Sequence, residues 1–441
     1  AVPLKAQVEY YGMTNIGGTS NAGTIFKTNS SGTNLQTIYN FEYENKGKNP
    51  QGILSQATNG KLYGVARFGG DNISSFPYYS SLKHSGVIYE FDPSTNIYNV
   101  LYHFDDTASG CWPEDSPIEA ANGKLYGVVR GGGVHNYGTV YCFDRATSTY
   151  TKIHDFEGSY AAVGYDGVQP VGNLLKATDG KLYGLTNGGG YNGHGTIFKI
   201  DRTTNTYTKL LDLQISYSGT NAGYSPESGL IQAANGKMYA TTQSGGSSYN
   251  GNIFEYNPIT NIATNKFEFT GNGMGVYPYG SLSVIGVDSL YGVTYNYYNS
   301  ISHYYLWRYQ ISTGNLVVVD SIVNGTFSRE LSITPSGKLL VSGYDYNISY
   351  GIRFWEFDPA TRTRVLKDTT NLATNSQGMM LASNGKFYGG FGNQFGTPYS
   401  DGTFLEYDMT NHQVIRKFNF SDPIDGVSPE SGLMMATNGR L

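Results

Sequence analysis

One phrase recurs along this chain, and it restricts the possible folds more than any other feature. It consists of a Gly-Lys-Leu-Tyr-Gly block, a glycine pair, a Gly-Thr-Ile-Phe block, an Asp-led turn and a Tyr-containing segment. The Tyr-Gly element, or its equivalent, is centred near eight residues about 54 apart: Tyr11, Tyr63, Tyr126, Tyr183, Tyr239, Tyr291, Leu340 and Tyr388. Such a period is typical of units that cannot bury their apolar faces alone and therefore stack on one another.

Each repeat has the pattern of four short strands. The third full repeat predicts strands over 172–177, 181–185, 196–200 and 207–213. Asp179-Gly180 separates the first two strands and favours a two-residue hairpin turn, whose central residues need a positive φ. The 58 glycines and 39 tyrosines of the chain fit many short strands joined by many turns.

The two ends of the chain complement each other. Residues 426–441 contain a first strand and its hairpin turn, whereas the N-terminus begins with the Tyr-Gly strand that should follow. We therefore predict an all-β fold, a single β-propeller of eight four-stranded blades, the last closed by the N- and C-terminal segments. Seven blades, or a fragment of a longer repeat array, are the alternatives. The propeller is predicted over residues 8–441, and residues 1–7 (AVPLKAQ) as the remnant of a signal peptide or a linker.

Composition excludes several classes of partner. Charged residues make up 14% of the chain, the net charge is −5, and no run of Lys and Arg occurs, so nucleic acid is not expected as a partner. No apolar stretch reaches the ~18 residues that span a bilayer. The composition and the first residues together predict a secreted or cell-surface protein. Cys111 and Cys142 allow either one disulfide within a repeat or two free thiols.

The repeat resembles known families. Residues 89–98 (YEFDPSTNIY) are similar to the latter half of a kelch repeat, although the glycine pair is spaced differently. The pattern Pro-x-x-x-Leu-x-x-Ala-x-Asn-Gly-Lys-Leu-Tyr-Gly, followed by Gly-Gly and Gly-Thr-Ile-Phe, more closely resembles the GloVer-type tandem-repeat proteins of Bacteroidota. That resemblance covers nearly the whole chain and implies export, often by type IX secretion. It also implies that Asp-Ser/Thr-apolar triplets can be O-glycosylated, here at Thr107, Ser321 and Thr369.

The predicted site lies on the face of the disc that carries the long loops. In each blade, tight turns join the first strand to the second and the third to the fourth. The long connections, from the second strand to the third and from one blade to the next, therefore lie on the opposite face, around the channel mouth. Aromatic side chains among Gly, Ser and Asn in these loops are typical of binding surfaces. The candidate aromatic residues are Tyr78, Tyr79, Trp112, Tyr191, Tyr249, Tyr277, Tyr279 and Tyr297.

Pro-Glu pairs open three of the predicted inner strands. Their carboxylates, Glu114, Glu227 and Glu430, are expected near the channel mouth, where they could meet a cation or sugar hydroxyls. Histidines precede several third strands, at His84, His135, His194 and His303, but equivalent positions on different blades are too far apart for the ~2 Å bonds of zinc. No metal site, no cofactor and no catalytic residue are therefore predicted.

The sequence favours a binding or adhesion module that recognises a glycan or a surface protein. Motifs of nucleotide-binding loops, nucleophile elbows and zinc proteases are absent from the sequence. A polysaccharide-active enzyme, lyase-like, and a structural surface or filament subunit are the alternatives. A carbohydrate binder should repeat a set of aromatic and amide side chains on several blades, whereas an enzyme should concentrate unusual polar residues in one sector.

Overall fold

The structure is a computed structural model. It describes residues 8–42, 46–71, 85–158, 166–214, 222–271, 273–298, 301–323, 325–327, 331–345, 352–361, 363–369, 375–376, 379–381, 386–392, 403–419 and 434–437. Tyr78, Tyr79, His84, Glu430 and the predicted signal or linker segment 1–7 lie outside these residues. No helix that could cross a membrane is found in the described part of the chain.

The described strands form eight antiparallel sheets, which we number as blades in chain order. Blade 1 has β1 (Val8–Thr14), β2 (Thr24–Asn29) and β3 (Gln36–Asn40), blade 2 has β4 (Lys48–Gln56), β5 (Leu62–Phe68), β6 (Val87–Asp92) and β7 (Ile97–His103), and blade 3 has β8 (Ile118–Glu119), β9 (Leu125–Val129), β10 (Thr139–Asp144) and β11 (Thr149–Asp155). Blade 4 has β12 (Val168–Lys176), β13 (Leu182–Gly188), β14 (Thr196–Asp201) and β15 (Thr206–Asp212), and blade 5 has β16 (Tyr224–Pro226), β17 (Ile231–Gln232), β18 (Met238–Ser244), β19 (Asn252–Asn257) and β20 (Ile262–Glu268).

The second half of the chain continues the pattern. Blade 6 has β21 (Val276–Ile285), β22 (Ser289–Tyr298), β23 (Ile301–Gln310) and β24 (Leu316–Val323), and blade 7 has β25 (Gly325–Phe327), β26 (Ser332–Ile333), β27 (Leu339–Asp345), β28 (Ile352–Asp358) and β29 (Thr363–Thr369). Blade 8 has β30 (Asn375–Ser376), β31 (Met380–Leu381), β32 (Phe387–Gly392), β33 (Thr403–Asp408) and β34 (Gln413–Asn419), and the last strand is β35 (Met434–Thr437). In blades 5, 7 and 8 two short strands share the inner position.

Closure of the ring follows the prediction. β35 pairs with β1, so that Tyr10 lies opposite Met435 and the blade made of β1 to β3 gains its inner strand from the other end of the chain. The predicted eight-bladed β-propeller with a blade shared between the two termini is confirmed. The seven-bladed alternative is wrong, because eight sheets are present.

The hydrophobic cores lie between the blades. One cluster joins Tyr11 and Ile25 of blade 1 to Leu62 and Val87 of blade 2, and others join the following pairs of blades in the same way. Each sheet therefore buries both faces against its neighbours, which explains why single repeats cannot be stable alone.

Aromatic stacking between outer strands accounts for part of the tyrosine content. Tyr39 stacks on Tyr98 with ring centroids 3.8 Å apart, and Tyr102 stacks on Tyr150 at 3.9 Å. At the next junction, His154 stacks on Tyr207 at 3.6 Å, and its Nε2 is hydrogen-bonded to the Asp166 carboxylate. Each aromatic pair of this kind adds about 0.5–1.5 kcal/mol beyond its buried area. These rings serve assembly of the disc and are not available for a ligand.

Two local predictions are wrong. Asp179-Gly180 was expected to form a two-residue turn, but Gly180 alone has a positive φ, of 82°, and Ala177 N donates to Lys181 O, which defines a three-residue loop with a glycine bulge. The equivalent hairpin at Asn59-Gly60 has the same form, and the Asn59 side chain fixes it by accepting from Lys61 N at 3.1 Å. Tyr297 was expected in a long loop, but it lies in β22, whose ladder with β23 extends to the pair Tyr298–Ile301.

Candidate functional site

The inner strands bulge into the central channel after their first residues. The register of β4 shifts between Gln51 and Ser55, and the shift recurs in β12 and β21 at the equivalent positions. Neighbouring bulges touch through their backbones, since a Cβ added to Gly52 would lie 2.8 Å from Ser116 N. A bulge bends its strand and changes the direction of its side chains, so these residues are the ones that reach the channel.

The channel contains a cavity of about 720 Å³ beside blades 3 to 6. Small-molecule sites typically have volumes of about 300–1,000 Å³. Its polar lining includes Glu114, Arg130, Asn173, Asn187, Glu227 and Ser228. The Ser228 hydroxyl is buried and has no hydrogen-bond partner among the described residues, so it is open to a ligand or to water.

Two arginines orient the Glu114 carboxylate. Arg67 of blade 2 lies 3.3 Å from one of its oxygens, and Arg130 of blade 3 lies 3.2 Å from the other. These arginines end the second strands of their blades, where blades 1 and 4 have Asn15 and Asn187. Because each guanidinium uses few of its five donors on Glu114, further donors remain at the mouth. In contrast, Glu227 on the far side forms no ion pair with any described residue and is exposed.

Asp115 follows Glu114 and also lines the cavity. Burial, together with the negative charge of Glu114, raises the pKa of Asp115 to about 6. Glu114 is therefore paired with two arginines, whereas its neighbour Asp115 is buried and resists ionisation.

The residue that precedes each inner-strand proline has a left-handed backbone. In blades 2 to 6 these five residues have φ between 52° and 58°, and we call them the mouth ring: Asn49, Trp112, Gln169, Ser225 and Tyr277. Their amides donate to carbonyls of the preceding blade over 2.8–3.2 Å. In blade 7 the equivalent residues are Thr326 and Phe327, and Thr326 has no positive φ.

The buried proline explains why the backbone of the ring is constant. Pro113 packs on Gly86, where an added Cβ would lie 2.8 Å from the proline Cδ, and Pro278 packs on Gly251 in the same way. The proline thereby fixes the start of each inner strand against the third strand of the preceding blade. The side chain before the proline is left to vary, and Gln169 and Tyr277 are exposed.

The structure brings four of the predicted site residues to this region. Glu114 and Glu227 line the cavity, and Trp112 and Tyr277 belong to the mouth ring. Tyr279 lies in β21, but the structure describes only its backbone. The three remaining described residues lie at loop or hairpin tips and are exposed: Tyr191, Tyr249 and Tyr297.

The other predicted groups have no part in this site. Cys111 and Cys142 are both buried and free, so the predicted disulfide does not form and the alternative of two thiols holds. Thr107 and Ser321 are exposed, and the Thr369 side chain is outside the description. Among the described residues, no three His, Cys, Asp or Glu side chains are arranged to hold a metal ion.

Sequence reasoning missed Arg67, Arg130, Asp115 and three members of the mouth ring. The signal was present, because a residue of varying type followed by proline recurs ahead of the inner strand in blades 2 to 6. It was overlooked because the side chains at that position differ while the backbone requirement is the same.

The fold and the mouth ring define an eight-bladed β-propeller with a polar central cavity. The chain belongs to the Gloeobacter/Verrucomicrobia repeat family, whose model matches residues 9–220 and 159–354. A search of curated proteins finds no match.

Solved structures show similarity of fold alone. The chain is similar to the periplasmic gluconolactonase PpgL of Pseudomonas aeruginosa, with 14% identity, a TM-score of 0.50, and coverage of 98% of this chain and 99% of that one. A protein from Lactobacillus plantarum is 14% identical with a TM-score of 0.49, covering 82% of this chain and 96% of that one. An oligogalacturonate lyase in complex with manganese is 11% identical with a TM-score of 0.40, covering 92% of this chain and 84% of that one.

Proposed function

We propose that this propeller binds a carbohydrate at the channel mouth of its long-loop face. The observation that carries the proposal is the mouth ring, in which each of five blades places one aromatic, amide or hydroxyl side chain at the same backbone position. Aromatic rings stack on the apolar faces of sugars, and amides and hydroxyls exchange hydrogen bonds with their hydroxyl groups. The cavity below the ring adds the carboxylates of Glu114 and Glu227 and the Arg130 guanidinium as further partners.

The strained backbone of the ring supports a functional role for its side chains. A left-handed conformation destabilises a non-glycine residue by about 1–2 kcal/mol, and a following proline disfavours it further. Glycine would remove this strain, and the chain has 58 glycines. None of the five positions has one. Retention of side chains at a strained position is typical of binding sites.

We propose in addition that the protein acts outside the cell, as a secreted or surface-attached adhesion module. The low charge content of 14% supports this. A glycan fits the uncharged side chains of the mouth ring better than a charged protein surface does.

A glycan array followed by calorimetric titration tests the carbohydrate proposal. Trp112→Ala and Tyr277→Ala are each expected to weaken binding about tenfold, since one lost aromatic contact is worth about 1.4 kcal/mol. Ile259→Ala is the control, because this side chain is 93% exposed on the opposite face. Failure of every glycan to bind, or unchanged affinity in both aromatic variants, would contradict the proposal.

Gln169→Gly distinguishes a role of the Gln169 side chain in glycan binding from a role in stability. Because glycine tolerates the left-handed backbone, stability is expected to be unchanged or to rise by up to about 1 kcal/mol, while glycan affinity falls. Chemical unfolding and titration of the same sample check both. A marked loss of stability would instead show that the side chain at Gln169 is structural.

A polysaccharide-active enzyme is the second candidate, favoured by Asp115. A carboxyl group whose pKa is about 6, next to the arginine-paired Glu114, is an arrangement that supports general acid–base chemistry. Incubation with neutral and acidic polysaccharides, followed by analysis of product size, tests this candidate. Products that disappear in Asp115→Asn would favour the enzyme, and no cleavage would exclude it for those polysaccharides.

The raised pKa of Asp115 also makes a stability prediction. A carboxyl group with a higher pKa in the folded state binds more protons there, so stability falls as pH rises from about 4 to about 6. Asp115→Asn is therefore expected to raise stability at pH 7, by up to about 3 kcal/mol, and to leave it unchanged near pH 4. Thermal unfolding at both pH values checks this, and equal shifts at both would contradict it.

A further inference from the structure

The hairpin of blade 6 extends beyond those of other blades. In blades 1 and 5 the ladder between the second and third strands ends at the pairs Thr14–Thr24 and Thr242–Asn252. The equivalent pair in blade 6 is Thr294–Tyr305, and four further pairs follow it, up to Tyr298 and Ile301. At about 3.3 Å per residue, these pairs project the hairpin about 13 Å past that level.

Tyrosines form a row across this extension. The ring centroid of Tyr277, in the inner strand, lies 5.8 Å from that of Tyr295, and Tyr295 lies 5.8 Å from Tyr304. These residues belong to the adjacent strands β21, β22 and β23, so the row runs outward from the mouth ring. Tyr297 lies two residues beyond Tyr295 on the same face of β22 and is 67% exposed.

The row lies beyond the hydrophobic core of blade 6. On the same sheet face, Val293 and Leu306 are buried against blade 7, together with Phe327 and Leu331. Tyr304 is only partly buried at the edge of this cluster, and Tyr277 is 38% exposed. Packing between blades therefore accounts for the lower part of the face. Above it Tyr277 and Tyr297 are exposed and Tyr295 is partly buried, while Ser302, which lies opposite Tyr297, donates to Gly325 O of blade 7.

We infer that blade 6 is a platform for a chain of sugar units that leads out of the channel mouth. The inference rests on the proposed carbohydrate binding and adds that the ligand is a linear oligosaccharide longer than the cavity. Tyr277 belongs both to the mouth ring and to the row, which makes the two surfaces continuous. Each tyrosine offers a flat ring with one polar hydroxyl, and successive rings can stack on successive sugars. None of the four side chains is charged, so the row suits uncharged faces of sugar rings.

The test compares chain lengths. The probes are the monosaccharide and the hexasaccharide of the linear glycan with the strongest array signal, titrated by calorimetry into the full chain. The hexasaccharide is expected to bind the wild type at least tenfold more tightly than the monosaccharide. Tyr297→Ala and Tyr295→Ala are expected to reduce the hexasaccharide affinity about tenfold in combination and to leave the monosaccharide affinity unchanged.

Tyr191→Ala is the matched control, because Tyr191 is 68% exposed on a blade 4 loop and outside the row. Its hexasaccharide affinity should equal that of the wild type. Equal affinities of the wild type for both lengths, or an unchanged hexasaccharide affinity in the double variant, would overturn the platform and leave the mouth site intact. An array without any signal would instead contradict the carbohydrate proposal itself.

Discussion

Gly251→Ala is expected to destabilise the propeller by about 2–5 kcal/mol, the sum of backbone strain and overpacking. Gly251 has φ of 91°, and an added Cβ would lie 2.6 Å from Pro278 Cδ of the next blade and closer still to the Thr242 carbonyl oxygen. Neither neighbour can move easily, since one belongs to a strand and the other fixes the start of the next inner strand. The variant therefore separates two blades at the junction on which the mouth ring depends.

Gly236→Ala is the matched control in the same blade. Its φ is 78°, so it has the same backbone strain, but no atom lies within 4 Å of an added Cβ. We expect this variant to lose only about 1–2 kcal/mol. Chemical unfolding followed by tyrosine fluorescence and far-UV circular dichroism gives both values. Equal losses in the two variants would mean that the contact between Gly251 and Pro278 contributes nothing to stability.

The number of blades and their closure could be predicted because both follow from periodicity. A unit of four strands repeats about every 54 residues, and neither the count nor the complementary ends depend on details of packing. The type of the hairpin turns was harder to predict from the sequence. Asn59-Gly60 has the residues of a two-residue turn, yet the Asn59 side chain accepts from Lys61 N and favours the longer loop. Local side-chain hydrogen bonds of this kind compete with the turn that residue types alone suggest.

The aromatic residues show why the site was predicted only in part. Tyr98 and Tyr150 stack between blades, whereas Tyr277 and Tyr297 are exposed, and nothing in their immediate sequence separates the two groups. The position of a tyrosine within the blade determines whether its ring is buried, because rings on outer strands face another sheet and rings at hairpin tips do not. Asp115 was missed for a similar reason. Its raised pKa arises from burial and from the charge of Glu114, and a linear sequence does not display that burial.

Buried Lys-Tyr-Glu clusters stabilise the opposite face of several blades. In blade 5, Glu255 accepts from Lys237 at 2.7 Å and from Tyr239 at 2.6 Å. Blades 2 and 8 repeat the arrangement with Glu90 and Glu406. Blade 1 reverses its charges, with Glu9 in the second strand and Lys27 in the third, 3.3 Å apart. In these four blades opposite charges surround the tyrosine, and both orders of the charges occur.

Glu255→Ala is expected to reduce the free energy of unfolding by about 2–4 kcal/mol, because it leaves a lysine and a buried tyrosine hydroxyl without their acceptor. Glu42→Ala is the control, since the Glu42 side chain is 51% exposed and pairs with Lys46 at 3.2 Å. An exposed pair of this kind contributes less than about 1 kcal/mol. Denaturant titrations at pH 7 measure both variants, and a loss in Glu255→Ala no larger than the control would refute the role of the cluster.

The effect of Glu255 should depend on pH. Burial opposes its ionisation, but hydrogen bonds from Lys237 and Tyr239 outweigh this and lower the pKa of Glu255 below its ordinary value of 4.5. A lowered pKa stabilises the fold above the ordinary value and loses that contribution as pH falls through the folded pKa. The difference in free energy of unfolding between the wild type and Glu255→Ala should thus be largest above pH 4.5 and should shrink below it.

The double variant that combines Lys237→Glu with Glu255→Lys has the charge order of blade 1. It should recover at least half of the stability that Glu255→Ala loses. No recovery would mean that the cluster depends on more than charge.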